Sequence, residues 1–315
     1  MQRQTNAHTI IADVHRPLES TMPRHTANDF HPDVLKLFDQ YVHGGIDRRG
    51  FLDGATKYAV GGVTATMLLE MLNPKFAEAQ QIKTDDPRIV AKYVEYFSAQ
   101  GSGRMRGYLV MPATPPQRMP GVLVVHENRG LNPHTEDVAR RMALEGFAAF
   151  APDALTPQGG YPGNEDKARE LFQKLDRSAS NNDMIAGVEY LRKLPSDTGK
   201  VGAVGFCWGG GICNMLATRV PELGASVPFY GSQAPAADAA KIRCPLQLHY
   251  ASNDERINAG WPAYEAALKA AKVNYESHFY PNTQHGFLND TTPRYDDAAA
   301  KLAWSRTVAF FRKHL

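Results

Sequence analysis

Cysteine is scarce in this sequence: Cys207, Cys213 and Cys244 are the only three in 315 residues. None stands in a CxxC pair or in a Cys/His cluster at zinc-ligand spacing, so neither a disulfide-built scaffold nor a zinc or other metal site is expected. A free thiol is by default a small buried hydrophobe, and the odd count raises the question of whether one of the three is chemical. Charge of one sign is equally short. Lys and Arg number 35 against 33 Asp and Glu, for a net charge of +2. No basic run is long enough to track a phosphate backbone, so nucleic acid is not expected as a partner. Long apolar runs are missing too. The most apolar N-terminal stretch is broken by Gly, Thr, Lys57 and Glu70, which argues against stable membrane insertion. There is no internal repeat and no low-complexity tract.

What remains is an ordinary globular composition, 43% hydrophobic and 22% charged, on a chain long enough for one large domain or a catalytic domain with an appendage. Residues 1–30 are polar and irregular, contain Pro17 and Pro23, and read as a flexible arm; Met1 and Met22 both stand as starts. Residues 31–84 read as a helical region. Val34, Leu35, Leu37, Phe38, Tyr41 and Val42 recur at helical spacing from His31 to Val42, and Gly44-Gly45 stop the pattern. A second, more apolar helix is predicted from Asp47 to Leu72, ended by Asn73-Pro74.

The order Arg48-Arg49, weakly hydrophobic run, Ala77-Glu78-Ala79 also resembles a twin-arginine export signal over 48–79. Two outcomes stay open. The preferred one is an uncleaved helical segment packed on the main domain of a cytoplasmic protein. The other is export to the periplasm with cleavage before Gln80, against which the oxidation of a thiolate outside the cytoplasm weighs.

Over 85–315 the pattern changes to that of a catalytic domain. Ile89 to Ser98 and Met105 to Met111 read as an antiparallel hairpin, and Gly121 to His126 as a short buried strand. Strands and helices then alternate. Strands are predicted at Phe147 to Ala151, Lys200 to Gly205, Ala225 to Tyr230, Leu246 to Tyr250 and Tyr275 to Tyr280. Helices are predicted at Asn164 to Leu175, Asn182 to Leu194, Gly209 to Val220 and Pro293 to His314. This rhythm is that of an α/β fold, a mostly parallel sheet flanked by helices, which binds ligands at the carboxyl ends of its strands.

The strongest local signal is Val204-Gly205-Phe206-Cys207-Trp208-Gly209, between a predicted strand and a predicted helix. It is a Gly-x-Cys-x-Gly form of the nucleophile elbow. A sharp turn leaves Cys207 in a strained conformation, and Gly205 and Gly209 remove the Cβ atoms that would clash. A helix N-terminus favours the thiolate, and the Trp208 N–H points where an oxyanion would form. Alone, such a turn around a packed Cys proves little. Downstream, however, one strand runs into Asp254 and the next into His285, the chain order a nucleophile, acid and histidine require in this fold. In these roles His285 moves the thiol proton, Asp254 fixes its tautomer, and Cys207 forms a thioester that water hydrolyses.

The loop His126-Glu127-Asn128-Arg129-Gly130 stands beside the elbow, where Asn128 N–H is a second oxyanion donor and Glu127 is in reach of the thiol. Arg129 is read as a contact for an acidic substrate group or, more simply, as one half of a surface ion pair. Tyr161 and Phe287, with Trp208, are expected to line an apolar substrate pocket, unless they are plain core. His126, His249 and His278 read as structural, and Cys213 as a packed side chain.

These residues carry a resemblance. The elbow, the Val-His-Glu-x-x-Gly stretch ending at Gly130, Ala151-Pro152-Asp153, Val-Pro-Phe-Tyr-Gly ending at Gly231 and the Asn-Thr-Gln-His-Gly-Phe loop ending at Phe287 resemble the dienelactone hydrolase (carboxymethylenebutenolidase) family from about Tyr93 to Leu315. The helical N-terminal region and the run at 159–164 look like a bacterial branch of that family. The resemblance implies an α/β-hydrolase fold, a Cys-Asp-His triad, no metal or organic cofactor, and a small ester or lactone as substrate. It also implies that Glu127 holds the resting thiol and takes its proton. One departure stands out: the family's substrate-gripping arginine just after the histidine is replaced by Leu288-Asn289-Asp290, which offers no guanidinium fork. For a second such arginine only Arg169 suggests itself. Amidase- or thioesterase-like acyl hydrolysis, and a non-catalytic binding protein on the same fold, stand as alternatives, and monomer and homodimer are both open.

Overall fold

In the computed structural model, residues 24–116, 118–194 and 197–315 are described. The expected arm over 1–30, with Met22, falls outside these residues except for 24–30, where Ala27–Asp29 form one 3-10 turn and Phe30 is buried.

The N-terminal region is helical but not as one long second helix. Helix α1 spans Pro32–Val42, α2 Arg48–Ala55, α3 Ala65–Leu72 and α4 Phe76–Ala79. The Asp47 to Leu72 expectation is thereby corrected. Gly61 and Gly62 both take positive φ (64° and 84°), and Thr64 caps a fresh start by accepting from Met67 N; a left-handed glycine pair cannot continue a helix. Phe30, Val34, Leu35, Phe38, Tyr41, Phe51, Leu69 and Leu72 are buried together as a small core, each burial contributing on the order of 2 kcal/mol.

The sheet that follows has β1 (Ile89–Ser98), β2 (Gly103–Pro112), β3 (Met119–Val125), β4 (Ala148–Pro152), β5 (Asp197–Phe206), β6 (Ala225–Phe229), β7 (Leu246–Ala251) and β8 (Tyr275–Tyr280). Their spatial order is β1-β2-β4-β3-β5-β6-β7-β8. The β1/β2 hairpin is antiparallel as expected, with β2 starting earlier, at Gly103 paired to Ser98; β2 joins β4 antiparallel, and all further pairs are parallel. Helices α5 (Pro133–Leu144), α6 (Glu165–Gln173), α7 (Arg177–Arg192), α8 (Trp208–Arg219), α9 (Glu255–Asn258), α10 (Trp261–Ala270) and α11 (Asp297–His314) complete the fold.

Both faces of the sheet are covered. Leu123 and Val125 of β3 pack with Met184 and Val188 of α7 and Ile212 and Leu216 of α8. The alternate residues Val122 and Val124 pack with Val138 and Met142 of α5 and Phe310 and Phe311 of α11. This two-sided burial is why the strands read as continuous apolar runs. Helices α5 and α10 were not anticipated, although Asn132-Pro133 is a cap followed by Pro at the first helical position. Helix α11 starts at Asp297, after its cap Asp296, rather than at Pro293.

Candidate active site

Each expected catalytic residue leaves the carboxyl end of its own strand. Cys207, between the end of β5 and the start of α8, has φ 55° and ψ −111°, a sparsely populated conformation for a residue with a side chain. The glycines on either side are sterically required. A Cβ at Gly205 would lie 2.2 Å from Gly209 O, and one at Gly209 would lie 2.3 Å from Val125 O. Asp254 follows β7 and His285 follows β8, and His285 Nδ1 donates to Asp254 Oδ2 at 2.5 Å with both side chains buried.

The thiol's hydrogen-bond partner is a residue that the sequence reading did not single out. His43 Nε2 lies 3.3 Å from Cys207 Sγ, while His285 faces the same sulfur from the triad side with a looser geometry, a ring nitrogen lying within 4.8 Å. The His43 and His285 rings meet edge to face at 4.8 Å between centroids. Asp39 stands behind His43: its backbone carbonyl accepts from His43 Nδ1 at 2.7 Å, and its carboxylate is 3.2 Å from the same nitrogen. Arg256 Nη2 donates to His43 Nε2 at 3.1 Å, and Arg294 Nη1 is 3.6 Å from Asp39.

These charges set the proton affinities. Burial opposes the Cys207 thiolate, yet the His285 and His43 imidazoles outweigh it and hold the thiol down at about 6. Burial lowers His285, but the facing thiolate and Asp254 outweigh that and raise it. Asp254 is raised by burial and pulled net lower by His285. Cys213 and Cys244 are pushed up by burial, as packed side chains should be.

The loop after β3 does something other than expected. Glu127 Oε2 accepts from Asn289 Nδ2 at 3.0 Å, and it is His43, not Glu127, that bonds Sγ. Arg129 is buried rather than a surface group; its Nη1 donates to Val42 O at 3.0 Å, and its Nε is 3.7 Å from Glu165. Asn128 Nδ2 donates to Val42 O at 2.7 Å. Arg169, the weak candidate for gripping substrate, donates to Tyr41 O at 3.0 Å with its guanidinium over the Tyr41 ring. All three therefore cap the carboxyl end of α1, whose last carbonyls have no partner within the helix. Phe287 is fully buried among Phe229, Tyr230 and Tyr280 and is core. Tyr161 packs near Trp208 and donates to Glu165 at 2.9 Å. Trp208 heads α8 and stacks on His126, which is structural, accepting from Ala154 N. Asp290, where the family resemblance led one to look for an arginine, accepts from Gln81 and Arg141 and lies 3.2 Å from His134.

Nothing in the pattern of α1 marks His43, because its partner lies 164 residues away. A cavity of about 760 Å³ opens beside His285, between Phe30, Leu35 and Asp39 on one side and Asp254, Arg256 and Arg294 on the other. A ring nitrogen of His43, one of His285 and Cys207 Sγ all lie within 4.8 Å of one another, and among the described residues no other such cluster has metal-ligand spacing. The guanidinium of Arg256 at His43 Nε2 competes with a cation there.

The model of the dienelactone hydrolase family matches residues 105–315, and a YqhI-like family model matches residues 22–60, the region of α1 and α2. The "Putative hydrolase fragment YghX" of Escherichia coli (strain K12) is 55% identical over 114 residues, 36% of this chain and 97% of that protein. A "Putative carboxymethylenebutenolidase" of Saccharolobus solfataricus is 30% identical over 255 residues, 70% of this chain and 98% of that protein. The crystal structure of a "Putative Dienelactone Hydrolase" from Klebsiella pneumoniae superposes with a TM-score of 0.65 at 28% identity, covering 71% of this chain and 98% of its own. With that match running over most of its length, the chain belongs to the dienelactone hydrolase family and is a hydrolase acting on ester or lactone bonds.

Proposed function

We propose that the chain cleaves a small carboxylic ester or lactone through a thioester on Cys207, with His285 and Asp254 completing a triad. The observation that carries this reading is the coincidence of a left-handed Cys207 at a strand-to-helix turn with the 2.5 Å Asp254–His285 bond beside it. The thiolate attacks the acyl carbon, and the oxyanion is received by the N–H groups of Trp208, first residue of α8, and Asn128. The C–O bond breaks with a proton from an imidazole to the leaving oxygen. Water then gives a proton to His285 and attacks the thioester, the C–S bond breaks, and the acid departs. Tyr161 and Trp208 flank the acyl group in this reading. Arg129 is withdrawn from substrate by its bonds to α1.

A panel of p-nitrophenyl esters and small lactones tests the reading with wild type, Cys207→Ala and Glu127→Gln. Loss of turnover in Cys207→Ala together with a +acyl adduct on wild-type Cys207 by mass spectrometry supports it. Full turnover without the thiol overturns it. Cleavage of the matching anilides at comparable rates would move the assignment to an amidase. A Glu127→Gln enzyme with normal kinetics would remove Glu127 from the thiol's proton transfer.

A further inference from the structure

Two histidines face the sulfur, and each is backed by a carboxylate: His285 by Asp254 at 2.5 Å and His43 by Asp39 at 3.2 Å. His43 Nε2 makes the well-formed bond to Sγ at 3.3 Å, while His285 faces the same sulfur with a ring nitrogen within 4.8 Å and also lowers its proton affinity. We propose that His43 is a second catalytic imidazole, lent by the N-terminal segment, which takes the Cys207 proton and delivers it to the leaving oxygen while His285 serves the water step. The inference rests on Cys207 being the nucleophile.

The tautomer fits. His43 Nδ1 donates to the Asp39 carbonyl at 2.7 Å, so in the neutral ring Nε2 carries the lone pair, which the Cys207 thiol at 3.3 Å and Arg256 Nη2 at 3.1 Å share. On protonation the Asp39 carboxylate, on the Nδ1 side, stabilises the imidazolium, as Asp254 does for His285. The side chain is well enclosed, at 17% exposure, and its place is fixed from the hydrolase side. His43 is the C-cap of α1, and the two carbonyls before it are held by Arg169, Arg129 and Asn128.

Among the described residues, the charged and titratable groups that these contacts place around the ring are Asp39 on α1, Cys207 at the elbow, Asp254 and Arg256 after β7, and His285 and Arg294 after β8. Arg256 donates to the neutral Nε2, and its side chain is 47% exposed and 3.8 Å from Asp39, so it has somewhere to go when the ring gains a proton. Burial works against a charged His43, but the Cys207 thiolate and Asp39 outweigh it and raise its proton affinity.

The protons balance. Sγ–H passes to His43 Nε2, and the thiolate attacks the acyl carbon. As the C–O bond breaks, the leaving oxygen takes the His43 proton and departs as alcohol. Water then gives a proton to His285 while its oxygen attacks the thioester. The C–S bond breaks, and the sulfur recovers a proton from His285.

The test uses the full chain as wild type, His43→Gln, Asp39→Asn and His285→Gln. Acylation is read from pre-steady-state release of p-nitrophenolate from p-nitrophenyl acetate, deacylation from the steady phase, and the thiol by its rate of alkylation with iodoacetamide across pH. The expected result for His43→Gln is acylation slowed about 100-fold, deacylation within about threefold of wild type, and a thiol midpoint moved upward; Asp39→Asn moves the same readouts less. His285→Gln slows deacylation instead. Unchanged or faster acylation with an unmoved thiol midpoint in His43→Gln would overturn the proposal and make the segment a spectator or a plug. If His43→Gln does not fold by circular dichroism, Asp39→Asn decides by the same two readouts. Loss of acylation in Cys207→Ala but not in His43→Gln rejects this inference alone, whereas acylation surviving in Cys207→Ala rejects the nucleophile and this inference together.

Discussion

Arg129 Nη1 donates at 3.0 Å to the carbonyl of Val42, the residue immediately before His43. One guanidinium thus ties the loop after β3 to the end of α1, while its Nε stays 3.7 Å from the carboxylate of Glu165. Removing it leaves the Glu165 carboxylate with only the Tyr161 hydroxyl and no cation, and leaves the Val42 carbonyl to Asn128 alone. Arg129→Ala is expected to lower the unfolding free energy by about 3 kcal/mol, read from urea midpoints, and to move the thiol alkylation midpoint upward by loosening His43. Unaltered stability would mean that the clamp holds nothing.

Asp254→Asn keeps the size of the side chain but removes the charge that steadies His285. A fall in kcat of about 100-fold or more is expected, with KM little changed and the circular dichroism spectrum retained. An effect under about threefold would place Asp254 in the role of a helix cap only, since it also accepts from Ile257 N.

The pH dependence has a definite sign. The Cys207 thiol lies at about 6, below its ordinary 9.0, so the thiolate is populated above about pH 6 and lost as pH falls through it. Alkylation of the wild type by iodoacetamide should therefore have its midpoint near pH 6, and the acid limb of kcat/KM should fall in the same range. Cys213 and Cys244 should resist the reagent, being buried with raised proton affinity. A midpoint above pH 8 would contradict the double-imidazole environment.

Asp290 gives a second pH signature, in stability rather than rate. Burial raises it, but His134 and Arg141 outweigh that and bring it to about 2, from 3.8. Because the folded value is depressed, its contribution is complete above about pH 4 and drains away as pH falls toward 2. The amount is on the order of 2 kcal/mol. Asp290→Asn should therefore flatten the loss of urea resistance between pH 4 and pH 2, and a curve that keeps its wild-type slope would rule the residue out.

Gly209→Ala is expected to fail at the level of folding. Its Cβ would meet the Val125 and His126 carbonyl oxygens at 2.3 and 2.7 Å, and backbone of two packed elements cannot recede. A soluble variant with a wild-type melting temperature would mean that the elbow is looser than these distances.

The hydrolase part of the fold was largely legible because its chemistry is local. Strand, elbow and helix around Cys207 are contiguous, and Asp254 and His285 each follow an apolar run. Windows of sequence therefore carry both the strand and what it delivers. The N-terminal segment was legible only as helix. Its break at Gly61-Gly62 was masked by the apolar residues on both sides, and His43 reads as an ordinary residue before a glycine stop. What makes it matter is its bond to Cys207 and the docking of the Tyr41 and Val42 carbonyls on residues 128, 129 and 169, which no spacing within α1 encodes. Arg129 and Phe287 misled for a related reason: a charged residue in a loop reads as exposed and an aromatic one beside a catalytic histidine reads as pocket wall, yet both are enclosed by elements distant in sequence.

The small-residue triplet Ala77-Glu78-Ala79 closes helix α4 and leads into the strand that follows. Scission between Ala79 and Gln80 would discard Asp39 and His43 together with the helices that bury them, while sparing Cys207, Asp254 and His285. The remaining chain would face its thiol with one imidazole instead of two, so a cut at that bond would part the residues of the strand ends from the pair that the N-terminal helices bring to them.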